Sequence, residues 1–292
     1  CWGNNGYGEL GNGLTDDSSV PVNVTGLSSG VQAVDSLYYT TCVIMASSHA
    51  VMCWGKNDYG QCGNGNTVTP QRTPVNQAMY YDASGISVGG DHVCVMTGGT
   101  FYCWGKNDHG QCGDTTTTSP RLFPVEVRGL TVRYSIHAGN EYTCARVQAN
   151  GRYVKCWGRN NYGQCGDGTT TTPRTSPVDV IKTDSTTLST VNGLWAGGYH
   201  ACVVDTGGAV LCWGFNNNGQ VGTGNTTTPQ PRAYAVSGLA GAVAEVSPSH
   251  YNHTCALLSS GKVQCWGMNS YGQCGNGSTA TPVLTPDYVN CN

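Results

Sequence analysis

The sequence predicts an all-β chain folded as a β-propeller with blades of about fifty residues, and three observations carry that prediction. The tripeptide Cys-Trp-Gly begins at Cys1, Cys53, Cys103, Cys156, Cys212 and Cys265, at intervals of 52, 50, 53, 56 and 53 residues. Each unit holds short apolar segments around a Gly-bearing turn, such as CVMTGGTFYC and CVVDTGGAVLC, which is the pattern of a β-hairpin. No run of helical periodicity separates them.

Within a unit the elements follow in order. A phrase such as CWGKNDYGQCGNG comes first; its glycines supply positive-φ and close-approach positions, and its Trp packs between sheets. A Thr/Pro-rich stretch follows, such as TVTPQRTPV or TTTTSPRLFPV, whose prolines end a loop rather than sit inside a ladder. Short strands come next, one of them carrying a second cysteine: Cys42, Cys94, Cys144, Cys202 or Cys255. Charged residues make up 11 % of the 292, against roughly 25 % in ordinary soluble domains. A net charge of −3 gives no general footprint for nucleic acid or for insertion at an anionic membrane. No apolar run approaches the ~20 residues of a membrane-spanning helix. Cys1 already lies inside the repeated phrase, so the chain is expected to be a processed or partial piece of its gene product.

The pattern CWGxNxxGQxGxGTTTxPxxxPV, preceded by a strand of HTC type, resembles the regulator of chromosome condensation repeat family over essentially the whole chain. The resemblance implies a propeller, commonly of about seven blades, within the range such folds span. Six units are visible here, and seven would follow if the chain is incomplete. The expectation is one domain over residues 1–292, its ring closed by pairing the N- and C-terminal strands. Tyr288-Val289-Asn290-Cys291 would supply the strand that Cys1-Trp2-Gly3 lacks.

Sixteen cysteines in so weakly charged a chain point to an oxidising compartment. Cys94 and Cys103 bracket Gly98-Gly99 symmetrically, which makes them opposed residues of one hairpin with Cα atoms about 4.5–5.5 Å apart. Five such pairs are expected: Cys42–Cys53, Cys94–Cys103, Cys144–Cys156 around Ala149-Asn150-Gly151, Cys202–Cys212, and Cys255–Cys265 around Ser259-Ser260-Gly261. A Cys1–Cys291 bridge would lock the ring and contribute roughly 5 kcal/mol by the loop-entropy estimate. Cys62, Cys112, Cys165 and Cys274 share one place in the repeat with Leu10 and Val221. That exchange suits buried thiols, with interblade bridges as the alternative. His92, His200 and His253 each stand two residues before a strand cysteine, but in different blades; side-chain hydrogen bonding within the blade is expected, with no metal and no cofactor.

No GxSxG, HExxH, P-loop or clustered His/Asp/Ser stands outside the repeat, so no catalytic residue is assigned. Departures from the repeat carry more. Lys56, Lys106 and Arg159 follow the Cys-Trp-Gly phrase, and Arg72, Arg121, Arg174 and Arg232 lie in the Pro-rich loops. Equivalent positions share a face of a propeller, so these seven are expected to form a basic arc able to meet an acidic protein, a sulfated or uronic glycan, or another copy of the chain. Asn23, Asn225, Asn252 and Asn276 are glycosylation sequons, of which Asn225 and Asn276 sit in the loops best placed for a glycan. The family resemblance suggests a nuclear exchange factor for a small GTPase, but intrablade cysteine pairs belong outside the reducing nucleus. The expected function is a secreted or cell-surface, non-enzymatic scaffold binding proteins or glycans through its loop faces. A structural subunit of an extracellular filament, sheath or appendage is the alternative, and an enzyme with a site in the channel is the third reading.

Overall fold

The computed structural model describes residues 1–78, 82–130, 133–148 and 152–290. Among these, twenty strands form five four-stranded antiparallel sheets, each built from consecutive strands in chain order. The first sheet holds β1 (Val31–Leu37), β2 (Thr40–Met45), β3 (Val51–Gly55) and β4 (Gln71–Asn76). The second holds β5 (Ala83–Val88), β6 (His92–Thr97), β7 (Thr100–Gly105) and β8 (Arg121–Glu126). The third holds β9 (Arg133–Ala138), β10 (Tyr142–Gln148), β11 (Arg152–Gly158) and β12 (Arg174–Asp179). The fourth holds β13 (Val191–Ala196), β14 (His200–Asp205), β15 (Val210–Gly214) and β16 (Gln230–Ala235), and the fifth β17 (Val243–Pro248), β18 (His253–Leu258), β19 (Val263–Gly267) and β20 (Val283–Tyr288). Along the series β1, β5, β9, β13 and β17 each strand touches the next, which places the first strand of every sheet at the common axis. This is the all-β propeller that the repeat requires.

The N-terminal segment makes half of a further sheet. Gly3 and Ser18 exchange backbone bonds of 2.7 and 2.9 Å, and Val22 N–H donates to Cys1 O at 2.8 Å, as third and fourth strands do elsewhere. At the other end Val289 N–H donates to Val263 O and Asn290 N–H to Gly275 O, so these residues bond to the fifth sheet. Cys1 is exposed. Its expected partner Cys291, like the turn at 149–151, lies outside the described residues.

The hairpin register explains the cysteine pattern. Cys42 faces Cys53, Cys94 faces Cys103, Cys144 faces Cys156, Cys202 faces Cys212 and Cys255 faces Cys265. All five pairs are disulfides with Cα atoms 4.0–4.1 Å apart. In the five complete sheets the residue after each Cys-Trp must be glycine for a steric reason as well. At Gly55, φ is +101° and a Cβ would lie 2.1 Å from Tyr39 O.

Between sheets the core is a set of seams. The first seam packs Ile44, Val51 and Cys62 against Ala83, Val93 and Trp104 of the next sheet. Trp54, Trp104, Trp157, Trp213 and Trp266 are at most 1 % exposed, and each indole Nε1–H donates to a carbonyl of the preceding unit. Those acceptors are Glu9, Gln61, Gln111, Gln164 and Gln220, at 2.7–2.9 Å. Trp2, at the same repeat position, is 68 % exposed. Cys62, Cys112, Cys165 and Cys274 are fully buried free thiols beside these seams, in the environment that Leu10 and Val221 share.

The histidines also fasten seams. His92 Nε2 lies 2.8 Å from Thr143 Oγ1, and His200 Nε2 lies 2.8 Å from Thr254 Oγ1. These bonds run between neighbouring sheets, not within a blade as the sequence suggested. A His-x-Cys element cannot reveal a partner some fifty residues away, at 51 and 54 positions of separation. His253, the third copy, is half-buried and receives no such threonine among the described residues.

Candidate binding face

One end of the propeller is built from two kinds of loop. The first joins the first and second strands of each sheet, at Tyr38-Tyr39, Gly89–Asp91, Gly139–Glu141, Gly197–Tyr199 and residues 249–252. The second follows the third strand and carries the Lys56, Lys106 and Arg159 positions. A backbone bond ties the two in every sheet. Lys56 N–H donates to Tyr39 O, Lys106 to Asp91 O, Arg159 to Glu141 O, Phe215 to Tyr199 O and Met268 to Asn252 O, at 2.7–2.9 Å.

A buried asparagine organises the second loop. In CWGxN the Asn is fully buried at Asn5, Asn57, Asn107, Asn160, Asn216 and Asn269. Asn57 Oδ1 accepts Cys62 N–H at 2.8 Å, while its Nδ2 donates to Asn66 O and Val68 O. Its own N–H donates to Thr69 Oγ1 at 3.1 Å. Sequence reasoning passed over this residue. Its presence in all six copies, inside a loop, was the available signal.

The structure brings three of the seven expected basic residues together and sets each against a carboxylate, with one carboxylate shared by two of them. Lys56 Nζ is 3.0 Å from Asp91 Oδ1, and Lys106 Nζ is 2.9 Å from Glu141 Oε1. Arg159 pairs with the other oxygen of Glu141. Burial would raise the Glu141 pKa, but the hydrogen bonds from Lys106 and Arg159 outweigh it and hold the carboxyl below its usual range. Burial would likewise depress Lys56 and Lys106, and their carboxylate partners leave both raised.

The four loop arginines occupy three positions rather than one. Arg121 and Arg174 open β8 and β12 opposite Gly105 and Gly158, Arg72 is the second residue of β4, and Arg232 is the third of β16. Arg121 pairs with Asp114 and Arg174 with Asp167; Arg232 reaches Ser185 Oγ at 3.0 Å. Arg72 is exposed. The sequence already separates them, at 19, 18, 18 and 20 residues after the cysteine of their Cys-Trp-Gly phrases, which grouping them by proximity to proline passed over.

Tyrosines surround the ion pairs. Tyr7 and Tyr39 have ring centroids 5.0 Å apart, and Tyr38 lies 6.2 Å from Tyr39. On the far side Tyr162, Tyr199 and Phe215 form a second group at 4.8–6.5 Å. Tyr251 and Tyr271 are 68 % and 85 % exposed. Tyr38 holds φ at +51°, a left-handed conformation that a bulky aromatic rarely adopts. Between the groups lies a basin of about 330 Å³ lined by Tyr38, Tyr39, Asn140 and Tyr199 together with the Lys56–Asp91 and Arg159–Glu141 pairs.

The axis itself holds a smaller polar cavity of about 190 Å³. Asp35, Ser87, His137, Trp195 and Ser247 line it, each at the register opposite a disulfide cysteine. Two of them latch neighbouring sheets. Asp35 Oδ2 accepts Val88 N–H at 2.7 Å, and Ser87 Oγ accepts Ala138 N–H at 3.0 Å. Burial raises the Asp35 pKa and pushes His137 down to about 4.

The four sequons differ in access. Asn23 and Asn225 are exposed, whereas Asn252 is half-buried with Oδ1 accepting Gln220 Nε2–H at 3.1 Å. Asn276 is also half-buried, and its Nδ2 donates to Asp287 at 2.9 Å.

Comparison with known proteins agrees with this geometry. The model of the RCC1-like domain matches residues 1–292. The ultraviolet-B receptor UVR8 of Arabidopsis thaliana is 29 % identical over 285 residues, which cover 95 % of this chain and 62 % of the receptor. The probable E3 ubiquitin-protein ligase HERC3 of Homo sapiens is 32 % identical over 143 residues, 49 % of this chain and 13 % of the ligase. The chain thus spans less than two thirds of the length of these relatives. Among solved structures, Prp20p of Saccharomyces cerevisiae, studied for its binding to Gsp1p and histones, superposes with a TM-score of 0.81 at 19 % identity, covering 99 % of this chain and 72 % of Prp20p. Human WBSCR16 gives 0.80 at 20 % identity, covering 99 % and 75 %. These structural likenesses concern the fold.

Proposed function

This chain belongs to the RCC1-like domain family, and from that premise we propose that it is a rigid, non-enzymatic binding propeller that meets proteins or glycans through its loop face outside the cell. The observation that carries the reading is the concentration of exposed aromatics on that face. Tyr7, Tyr38, Tyr39, Tyr251 and Tyr271 are each at least 37 % exposed, around charges already paired with one another. Exposed tyrosines on a rigid frame supply contact area at low entropic cost, which is the economy of a binding surface. The relative Prp20p, which binds Gsp1p and histones, supports a protein as one class of partner. The five disulfides support an oxidising location, since such pairs persist outside the cytosol and nucleus. Asn23 and Asn225 are the sequons open to glycosylation there.

The test uses the oxidised chain on a surface, with secreted proteins and a glycan array as probes. A true partner loses at least tenfold in affinity with Tyr251→Ala plus Tyr271→Ala and is unaffected by Ser48→Arg plus Ser259→Arg at the opposite end. A partner that responds to the second pair and ignores the first overturns the assignment of the face.

A further inference from the structure

We propose that the basin between Tyr38, Tyr39 and Tyr199 is a saccharide-binding site for an electrically neutral sugar, such as the end of a glycan. This deepens the reading of the loop face as a binding surface and rests on it.

The charge arrangement selects the class of ligand. Lys56 and Arg159 supply two positive charges to the basin wall, and Asp91 and Glu141 supply two negative ones. They are joined as Lys56–Asp91 and Arg159–Glu141, and Lys106 holds the second oxygen of Glu141 from outside the basin. An anionic ligand would have to compete with a carboxylate for its cation, and a cationic ligand with a cation for its carboxylate. A sugar hydroxyl donates and accepts at once. It can give its proton to a carboxylate oxygen and take one from a neighbouring ammonium or guanidinium while both ion pairs stay closed.

The floor carries an unanswered acceptor. Asn140 is 5 % exposed, and its Oδ1 has no hydrogen-bond partner. A buried amide oxygen left without a donor costs on the order of 1–3 kcal/mol, so such groups ordinarily find one. It sits in the loop between β9 and β10, where its backbone N–H donates to Gly198 O at 3.1 Å and fixes the residue in place. Asn140 lines the basin and its side chain hydrogen-bonds Tyr38, so a ligand hydroxyl becomes the missing donor once the amide turns its covered oxygen toward the basin.

The walls supply the apolar half of sugar recognition. Tyr38 and Tyr39 come from the first sheet and Tyr199 from the fourth, so aromatic surface stands on opposite sides of the basin. Tyr38 is held with φ at +51°, a conformation that costs backbone energy and is kept where the surrounding structure imposes it. The volume, about 330 Å³, is at the lower end of small-molecule clefts. It fits one or a few sugar rings rather than a folded partner.

The test titrates the oxidised chain with neutral sugars (glucose, galactose, mannose and N-acetylglucosamine, with their disaccharides), read by saturation-transfer NMR and tyrosine fluorescence. At least one is expected to bind, with an affinity that changes less than twofold between 50 and 500 mM salt, as a closed-pair site implies. Tyr199→Ala and Asn140→Ala should each weaken it at least tenfold. Asn140→Gln, which keeps the amide but moves it, should weaken it too. Each variant is first shown to keep the wild-type melting temperature; one that does not is replaced by Tyr199→Leu or Asn140→Ser. Preference for sulfated or uronic sugars with steep salt dependence overturns the inference, and so does no binding of any sugar. Partner binding lost through Tyr251 and Tyr271 but indifferent to Tyr199 and Asn140 overturns this inference alone, leaving the loop-face reading intact.

Discussion

His92 Nε2 and Thr143 Oγ1 meet at 2.8 Å across the seam between the second and third sheets, and the direction of that bond is fixed by the next one. Thr143 donates its own hydrogen to Gln111 O at 2.9 Å, so the histidine must be the donor and Nε2 carries the proton. Gln111 O also accepts Trp157 Nε1–H, so one loop carbonyl holds two residues of the third sheet, and His92 of the second sheet joins them through Thr143. His200, Thr254 and Gln220 repeat the chain one seam pair further on. In both copies Nδ1 is buried without a partner, and burial pushes the ring pKa down to about 3.

The first prediction is acid lability. A histidine in the unfolded chain takes up a proton near pH 6.5, whereas folded His92 and His200 do so near 3 and His137 near 4. Between these values the unfolded state binds more protons, so stability falls as pH falls below about 6.5 and is highest above it. Three such residues together lower the unfolding free energy by about 4 kcal/mol between pH 7.5 and 5.5. Denaturant titrations at the two pH values measure this, and the double variant His92→Gln, His200→Gln should flatten the slope. A pH-independent unfolding free energy would refute the seam assignment.

The disulfides give the second. Each closes a loop of 9 to 12 residues, for which the loop-entropy estimate is about 2–3 kcal/mol. Cys94→Ala with Cys103→Ala should therefore lower stability by that amount without changing the fold. Full reduction should act on all five and lower the melting temperature far more than the double variant does. Calorimetry with and without reductant checks both, and an unchanged melting temperature on reduction would contradict the bridges.

These two cases show where the sequence was legible. Cys94 and Cys103 bracket their turn symmetrically, so a two-residue periodicity and a short loop sufficed to oppose them. The Trp and Gly of each phrase declared the blade in the same local way. Contacts between blades were opaque, because His92 and Thr143 are 51 positions apart and nothing local pairs them. The binding face suffered twice. Lys56, Lys106 and Arg159 read as a basic arc, yet Asp91 and Glu141, from loops 18 to 35 residues away in the sequence, pair with all three and offset most of its charge. Asn140 was invisible, since its importance lies in an unpartnered oxygen rather than in a motif.

The third prediction contrasts two tryptophans at one repeat position. Trp157 is fully buried and donates to Gln111 O at 2.9 Å. Trp157→Phe removes that donor and leaves a void, for a combined cost of about 2–4 kcal/mol. Trp2 is 68 % exposed, so Trp2→Phe should alter stability by less than about 0.5 kcal/mol. Equal losses in the two variants, by denaturant unfolding, would mean that Trp2 is buried in the protein in solution.

Glu141 is the fourth, because it decides the sign of the loop face. Its carboxylate, only 16 % exposed at the side chain, bridges Lys106 and Arg159 and lies 3.8 Å from His109 Nε2. Glu141→Gln leaves two cations facing one another with a neutral amide between them. The loss of a half-buried bridging charge should cost about 1–3 kcal/mol at neutral pH. Since its folded pKa is depressed, the stabilisation is present above the usual carboxylate value and disappears as pH falls through the folded one. The variant and the parent should thus converge in stability only once the pH falls below the depressed pKa of the folded carboxyl. At pH 7 the same substitution uncovers the basic arc that the pairing conceals. Retention on a sulfated-polysaccharide column should rise, with a steeper dependence on salt than the parent shows. Unchanged retention would mean that Glu141 does not mask the charge of Lys106 and Arg159, and that the closed ion pairs do not set which ligands the face accepts.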